Sequence, residues 1–475
     1  MAIQEHNDRQ ESREAALCLL VVVAIFALRS PWTGSFWLDE TISAWIVQGS
    51  LSDAVRRATD FQGQSPLYYS LLWASGALLG HSEAALRVLS VVFGGFALVA
   101  MFSLVRTITG QASVALVAAA ALLCADTFQA AVLSARPYAL GVFFALASMV
   151  LLERLLRKPS QRDAALFVLS CVLCFYAHYL FAVVFLAHAW HLARRPPLAR
   201  MVLGWALLGV ALMLPALPQL AALFSRRTAL MFAQPIDFTA LFKGAVPVPA
   251  VVPVLLGAAL GAVWGGKVSR TSQSTAGARF LLPYVFVPVI VFAAWSFGGS
   301  QSMWVPRYWG WQAGAWSALA CVLLASMQGE RARKIAIVAA FGFCLLRLAS
   351  QSRVSEDWRG ATEAVKPLPG AVALYSGLVE VESGASAGLP EFAEYVRSPL
   401  RVYGVSAPVS TLSLSRLEAD LRSLPADTSS LVVFNRKLPD GSTSKDRILS
   451  AAASAGLTLE ALHQDRLVSA FAVRR

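Results

Sequence analysis

The sequence predicts a polytopic α-helical membrane protein of about eleven spans that ends in a small soluble α/β domain. Three observations carry this. Hydrophobic residues make up 57% of the chain, charged residues only 14%, and apolar runs of near-span length recur as far as residue 350 and stop there. Soluble domains carry about a quarter charged residues. A net charge of +12 would suit a nucleic-acid binder, but the basic residues lie in short clusters between apolar runs. That distribution is membrane topology, and it argues against a nucleic-acid partner.

A spanning helix needs about 20 mainly apolar residues, within a range near 17 to 25. Runs that qualify lie near residues 15–31, 84–106, 111–131, 136–153, 163–178, 179–193, 201–219, 246–264, 280–297, 307–327 and 334–350. The stretch 163–193 is long for one helix and short for two, and Tyr176-Ala177-His178-Tyr179 in its middle marks a turn. The polar, acidic lead before the first run and the missing small-residue cleavage site indicate an uncleaved first helix.

Orientation follows from Lys and Arg, which favour short cytoplasmic loops. Arg9 and Arg13 precede the first span, which should therefore run outward from a cytoplasmic N-terminus. The later clusters (Arg106; Arg154, Arg157, Lys158, Arg162; Arg194, Arg195, Arg200; Lys267, Arg270, Arg279; Arg331, Arg333, Lys334) all fall inside under one condition. The apolar stretch 66–80 must not cross, and it is short enough to lie on the surface instead. Residues 32–83 then form one long external loop. Further external segments are 126–136, 220–245, which holds Arg226, Arg227 and Lys243, and 298–308. The division expected is a membrane domain, 1–350, and an extracytoplasmic α/β domain, 351–475, in the inner or plasma membrane. Strand-like runs at 371–376 and 431–436, helical signals at 415–424 and at 445–455 before Gly456, and a loop over 380–410 describe the second domain.

The six cysteines, Cys18, Cys124, Cys171, Cys174, Cys321 and Cys344, all lie in apolar segments. They support neither a disulfide framework nor a zinc site. Cys171 and Cys174 form C-x-x-C without further ligands in reach, and buried thiols pack as small hydrophobes.

Chemistry is sought on the outer face, where the charged groups gather. Asp39 and Glu40 follow the first span directly, and adjacent carboxylates at a water–lipid boundary suit general-base work or cation binding. The competing account is capping, since acids favour the helix N-terminus that begins near Thr41. Arg307 stands between Pro306 and Tyr308 at the outer start of a span, while Arg87 and Arg136 occupy comparable positions. Each either snorkels to headgroups or holds a phosphate in bidentate fashion. His178, at the expected turn, is a structural histidine or a site residue on the same grounds. His188 and His191 near the inner face read as structural.

In order, Leu38-Asp39-Glu40, Gln64-Ser65-Pro66-Leu67-Tyr68-Tyr69, Ala85-Leu86-Arg87-Val88-Leu89-Ser90, Ala135-Arg136-Pro137-Tyr138-Ala139-Leu140, Tyr176-Ala177-His178-Tyr179 and Pro306-Arg307-Tyr308 resemble the membrane glycosyltransferases of the GT-C fold. More narrowly, they resemble the bacterial membrane-bound mannosyltransferases related to protein O-mannosyltransferases and aminoarabinose transferases. The resemblance covers most of residues 30–350. It implies a catalytic acid in the first external loop, at Asp39, followed by a surface-lying helix that begins near Gln64 and Tyr68. It also implies a polyprenyl-phosphate sugar donor whose phosphate meets Arg307, Arg136, Arg87, His178 and Tyr308. The acceptor would be a glycan, lipid or protein.

Departures concern a metal. Relatives often carry an acid where this chain has Ser134, and a His-Pro pair where it has Gln64-Ser65. No cofactor is certain, a divalent metal is left open, and Asp126 is the acid of that external turn that would substitute at such a site. The expected activity is inverting sugar transfer with Asp39 as base, helped by Glu40. The chain lacks a G-x-x-x-x-G-K-[ST] motif, as suits an enzyme driven by the phosphate–sugar bond. The rival class is a multi-pass transporter or lipid flippase, which would place its ionisable residues near the bilayer midplane.

Overall fold

The structure, a computed structural model, describes residues 32–225, 237–269, 271–298, 302–350, 356–384, 387–438 and 440–475, with positions 20, 23, 24 and 26. The first expected span lies almost wholly outside the described residues, as do Arg9, Arg13, Arg226, Arg227 and Arg270. The chain divides into two compact units. One comprises Met1–Pro31, Arg87–Leu217 and Ala233–Gln351; the other comprises Trp32–Leu86, Pro218–Phe232 and Ser352–Arg475. The external loop, read from sequence as part of the membrane domain, thus groups with the C-terminal residues.

In the first unit, helices occupy each span position expected from residue 84 onward. They are Glu83–Thr109, Ala112–Cys124 with Asp126–Val132, Tyr138–Arg157, Gln161–Ala177, Val184–Ala193, Pro196–Met213, Val248–Val263, Ser272–Gly298, Gln312–Ala325 and Glu330–Ala349. Four of the described helices are long and apolar enough to cross a membrane, or up to six if each bent pair forms one span. Length and composition thus leave the expected eleven unconfirmed, since several of the helices, Gln312–Ala325 among them, are short and two apolar stretches are bent. Ala112–Cys124 turns by 78° into Asp126–Val132, and Phe238–Ala245 by 65° into Val248–Val263. At His178 the helix Gln161–Ala177 ends in extended backbone (φ −158°, ψ 113°) before a 3-10 turn, Tyr179–Val183. The break falls at the expected turn.

Helix Ala112–Cys124 is buried on every side, as its Ala-rich and uniformly apolar sequence requires. Pro196–Met213 by contrast leaves Leu203, Leu207, Leu208 and Val210 exposed, a face for lipid. Close packing of Val248–Val263 on Glu330–Ala349 depends on small residues. A Cβ at Gly257 would stand 2.5 Å from the Ala336 carbonyl oxygen, and one at Gly261 would stand 2.7 Å from the Ala336 Cβ. Without a hydrophobic force between helices in lipid, such small-residue contacts supply the dispersion that holds them. His188 ties three helices: its ring nitrogens lie 2.9 Å from Ser148 Oγ and 2.8 Å from Tyr284 Oη.

In the second unit, three helices follow the first expected span: α1 (Leu38–Ile46), α2 (Leu51–Asp60) and α3 (Pro66–Leu79). At fourteen residues α3 is about 21 Å long, too short to cross a core of about 30 Å. Ser65 caps it through the Leu67 N–H, and Gly80, at φ 89°, ends it. The C-terminal part contributes α4 (Trp358–Val365) and α5 (Phe392–Arg401). Its sheet contains β1 (Ala371–Tyr375), β2 (Val409–Thr411), β3 (Thr428–Phe434), β4 (Thr458–Gln464) and β5 (Val468–Arg474). Strand order is β2-β1-β3-β5-β4; β2, β1 and β3 run parallel, and β5 pairs antiparallel with both β3 and β4. All five residues of β1 are buried, as a central parallel strand requires.

The segment expected as loop, 380–410, contains α5 and leads into β2. Pro399 within α5 and the surrounding Gly and Ser masked its amphipathic face, on which Tyr395, Val396 and Leu400 are buried. This helix receives α1 and α2. Tyr395 stacks on Phe61 at 5.0 Å and meets Trp45 edge-on at 5.9 Å. Glu391, at φ 64° the sole described non-glycine residue in the left-handed region, accepts from Arg56 at 2.7 Å and from Arg57 at 2.9 and 3.1 Å.

Candidate functional site

The acids sit at the start of α1. Trp37 occupies the position where a helix ordinarily takes a capping oxygen, and its indole cannot accept. Two carboxylates instead hold the amides at the helix entry. Glu40 Oε2 accepts the Trp37 N–H at 3.2 Å from within the helix, whereas Glu356 Oε2 accepts the Leu38 N–H at 2.7 Å. The same Glu356 oxygen takes the Trp358 indole N–H at 2.7 Å. Glu40 is fully buried, while Asp39 is partly exposed. The two adjacent acids therefore differ: Glu40 caps its own helix, and Asp39 is the one with solvent access.

Sequence reasoning missed Glu356. More than 300 residues separate it from α1, and the only local signal was an acid two residues before a buried tryptophan. Burial pushes its carboxyl up to about 7; the bonds from Trp358 and Leu38 oppose this, and the charges of Asp39 and Glu40 reinforce it. The segment before α1 is fastened by the same C-terminal part. The Phe36 N–H donates to Tyr403 Oη at 2.7 Å, the Arg359 N–H to Ser35 Oγ at 3.0 Å, and Arg359 Nη2 to the Thr33 carbonyl at 2.7 Å. Gln64 and Tyr68 lie at the start of α3. The Gln64 carbonyl accepts from Gln219 at 2.6 Å, and Tyr68 is fully buried, edge-on to Tyr69 at 5.4 Å.

The remaining candidates belong to the first unit. His178, in the break between helices, is buried among rings. Those of Tyr138, Phe181 and Tyr308 lie at 5.3, 5.1 and 5.6 Å. The Arg136 guanidinium stands 5.9 Å from the Tyr138 ring and that of Arg307 5.9 Å from the Tyr308 ring. Both cations act electrostatically on His178. Among the described residues, neither nitrogen of the His178 ring has a hydrogen-bond partner. Arg87 and Arg136 are both buried, and Ser90 Oγ donates to the Arg136 carbonyl at 3.3 Å, which joins their two segments. Chemically, this is an apolar-walled cationic cluster with one neutral polar ring.

The positions raised for a metal have other engagements. Ser134 Oγ donates to the Ala130 carbonyl at 2.6 Å, and Asp126 pairs with Arg347 at 3.1 Å. Among the described residues, no three His, Cys, Asp or Glu side chains come together as a metal site.

The family model for dolichyl-phosphate-mannose-protein mannosyltransferase matches residues 63–221. No curated protein matches the sequence. Among solved structures, ArnT from Cupriavidus metallidurans in the apo state aligns over 96% of this chain and 97% of its own, with TM-score 0.55 and 12% identity. ArnT bound to undecaprenyl phosphate aligns equally well. The chain has the GT-C fold. The arabinofuranosyltransferase AftD from Mycobacteria is similar over 97% of this chain, with TM-score 0.51 and 15% identity, and this chain spans 41% of AftD. Within the GT-C fold, the matched family region begins beside Gln64 and holds Arg87, Arg136 and His178, whereas Asp39 precedes it and Arg307 follows it.

Proposed function

We propose that the protein is a glycosyltransferase that moves a sugar from a polyprenyl-phosphate donor to an acceptor hydroxyl at the outer membrane face. The observation that carries this reading is the cluster of Arg136, Arg307 and Tyr308 around the buried His178, whose two ring nitrogens make no hydrogen bond among the described residues. A buried ring without partners is costly unless a polar ligand supplies them. Two guanidiniums beside it select an anion, and ArnT, whose fold the chain shares, has been solved with undecaprenyl phosphate.

In the proposed step, Asp39 takes the proton of the acceptor hydroxyl as its oxygen attacks the anomeric carbon. The bond from that carbon to the phosphate oxygen breaks, and the electron pair leaves with the lipid phosphate. Arg307 and Arg136, with Arg87, His178 and Tyr308, stabilise the charge that develops there, an effect that grows as water is excluded. Attack opposite the leaving group inverts the anomeric centre. Glu40 supports Asp39 by fixing the helix that bears it. The N-terminus is then cytoplasmic and residues 351–475 extracytoplasmic, on the same side as the loop 32–83. The partners are the lipid-linked donor, membrane lipid and an acceptor that is a glycan, lipid or protein.

The test is transfer from a panel of radiolabelled undecaprenyl-phosphate hexoses and pentoses by the purified protein, wild type beside Asp39→Asn. The variant should lose at least about a hundredfold. Equal rates in the two proteins would remove Asp39 from the chemistry, and movement of the lipid across a vesicle without sugar transfer would favour a flippase.

A further inference from the structure

We infer that Glu356 is a positioning residue for the acid-bearing helix: its carboxylate, presented by the C-terminal domain, accepts the first amide of the helix, a donor no side chain of α1 serves, and holds α1 in register. This rests on the reading of Asp39 as the base. The geometry is specific. Leu38 is the first residue of α1, its N–H is one of the helix's unpaired donors, and Glu356 Oε2 meets it at 2.7 Å while held from the other side by the Trp358 indole at 2.7 Å. Trp358 itself is fully buried. Asp39 is the next residue along the chain, so any movement of the Leu38 amide moves the base directly.

Glu40 does not duplicate this role, since its carboxylate satisfies the Trp37 N–H, one residue earlier. Nor do the neighbouring bonds: Tyr403 holds Phe36, and Arg359 holds Ser35 and Thr33. Four grips thus run along the segment to Leu38, and that of Glu356 lies closest to Asp39. This gives residues 352–475 a task in the reaction that needs no contact with substrate.

Glu356 is also a poor place for a second negative charge. Asp39 and Glu40 face it from α1. On its own segment, Asp357 pairs with His463 of β4 at 3.3 Å, and Arg359 with Glu83 at 3.2 Å, so neither is unengaged. Its carboxyl, raised to about 7 by burial and by these acids, takes up a proton near neutrality and then grips the Leu38 N–H less strongly. Positioning should therefore weaken as pH falls through that value.

The experiment uses the full-length protein in detergent. Hydrogen exchange of the peptide covering 33–46 is measured for wild type, Glu356→Ala and Glu356→Gln. The Gln variant keeps an acceptor oxygen in the same place. Exchange at the start of α1 should rise about tenfold in the Ala variant and less than about threefold in the Gln variant. In transfer assays, kcat should fall about ten- to a hundredfold in the Ala variant at little-changed donor KM. The acid limb of the wild-type pH profile near 7 should be absent in Glu356→Gln. Unchanged exchange in the Ala variant, or an acid limb that persists in the Gln variant, overturns the inference. Full transfer by Asp39→Asn would instead overturn the base assignment and leave the exchange result to judge Glu356 by itself.

Discussion

Replacing Glu391 by Gln removes the charge that fastens α2 to α5, and the structure fixes how much this should cost. The carboxylate takes three guanidinium hydrogen bonds between 2.7 and 3.1 Å. Its hydrogen bond with Arg57 is the main reason its carboxyl is held down to about 2, with Arg56 adding to the effect against a desolvation that opposes it. Against about 4.3 in an unfolded chain, that is a shift of about 2 units, or about 3 kcal/mol as a ceiling. Glu391 is 31% and Arg56 40% exposed, so screening reduces the yield to about 1 kcal/mol.

The sign follows from the lowered folded value. The stabilisation is complete above about pH 5, shrinks as pH falls below about 4.3, and is about half gone by pH 3. Thermal unfolding in detergent at a fixed scan rate should place Glu391→Gln about 2–4 °C below wild type at pH 7.5, with the gap narrowing at pH 3. Arg57→Ala should cost more, because Arg57 also donates to the Trp45 and Gln48 carbonyls at 3.0 and 2.7 Å. A Glu391→Gln melt within 0.5 °C of wild type at about pH 7.5, or a gap as wide at pH 3, would refute the argument.

Two further substitutions read the packing directly. Gly257→Val drives a side chain into the Ala336 and Ala340 backbone, which cannot yield, and should lower stability by about 1–3 kcal/mol, seen as an earlier midpoint of thermal aggregation. Gly204→Ala, at a helical position with open space around it, should be neutral or slightly stabilising in the same assay. Tyr403→Phe leaves the Phe36 N–H without its 2.7 Å acceptor and should raise exchange over residues 33–38 about tenfold without unfolding the sheet.

The helix positions from residue 84 onward were legible in sequence as recurring apolar runs, and the break at His178 was legible because polar and aromatic residues interrupt a run too long for one helix. The strands Ala371–Tyr375 and Thr428–Phe434 were legible for a similar reason: a central parallel strand buried on both faces must be a continuous β-rich run. The hairpin Thr458–Arg474 was not, since β4 is largely exposed and carries no such run. Helix Phe392–Arg401 was hidden by Pro399, and bends at Ala125 and near Val246 leave no trace in hydropathy.

The candidate site divides along the same line. Asp39 beside Glu40, and the arginines at helix ends, are local patterns that sequence presents without a fold. Sequence ranked the two acids only through the resemblance, with Asp39 as base and Glu40 as helper or cap, because capping and catalysis ask for the same residue types at the same place. The tertiary structure added their different surroundings, bringing Glu356 from the far end of the chain to the Leu38 amide while Glu40 bonded to Trp37. It likewise gathered Arg136 and the adjacent Arg307 and Tyr308, from two separate segments, around His178. Sequence by itself determined what each segment must bury, since that depends on composition and period. Which distant polar groups meet was decided by the tertiary structure, because a hydrogen bond depends on distances that one-dimensional spacing does not contain.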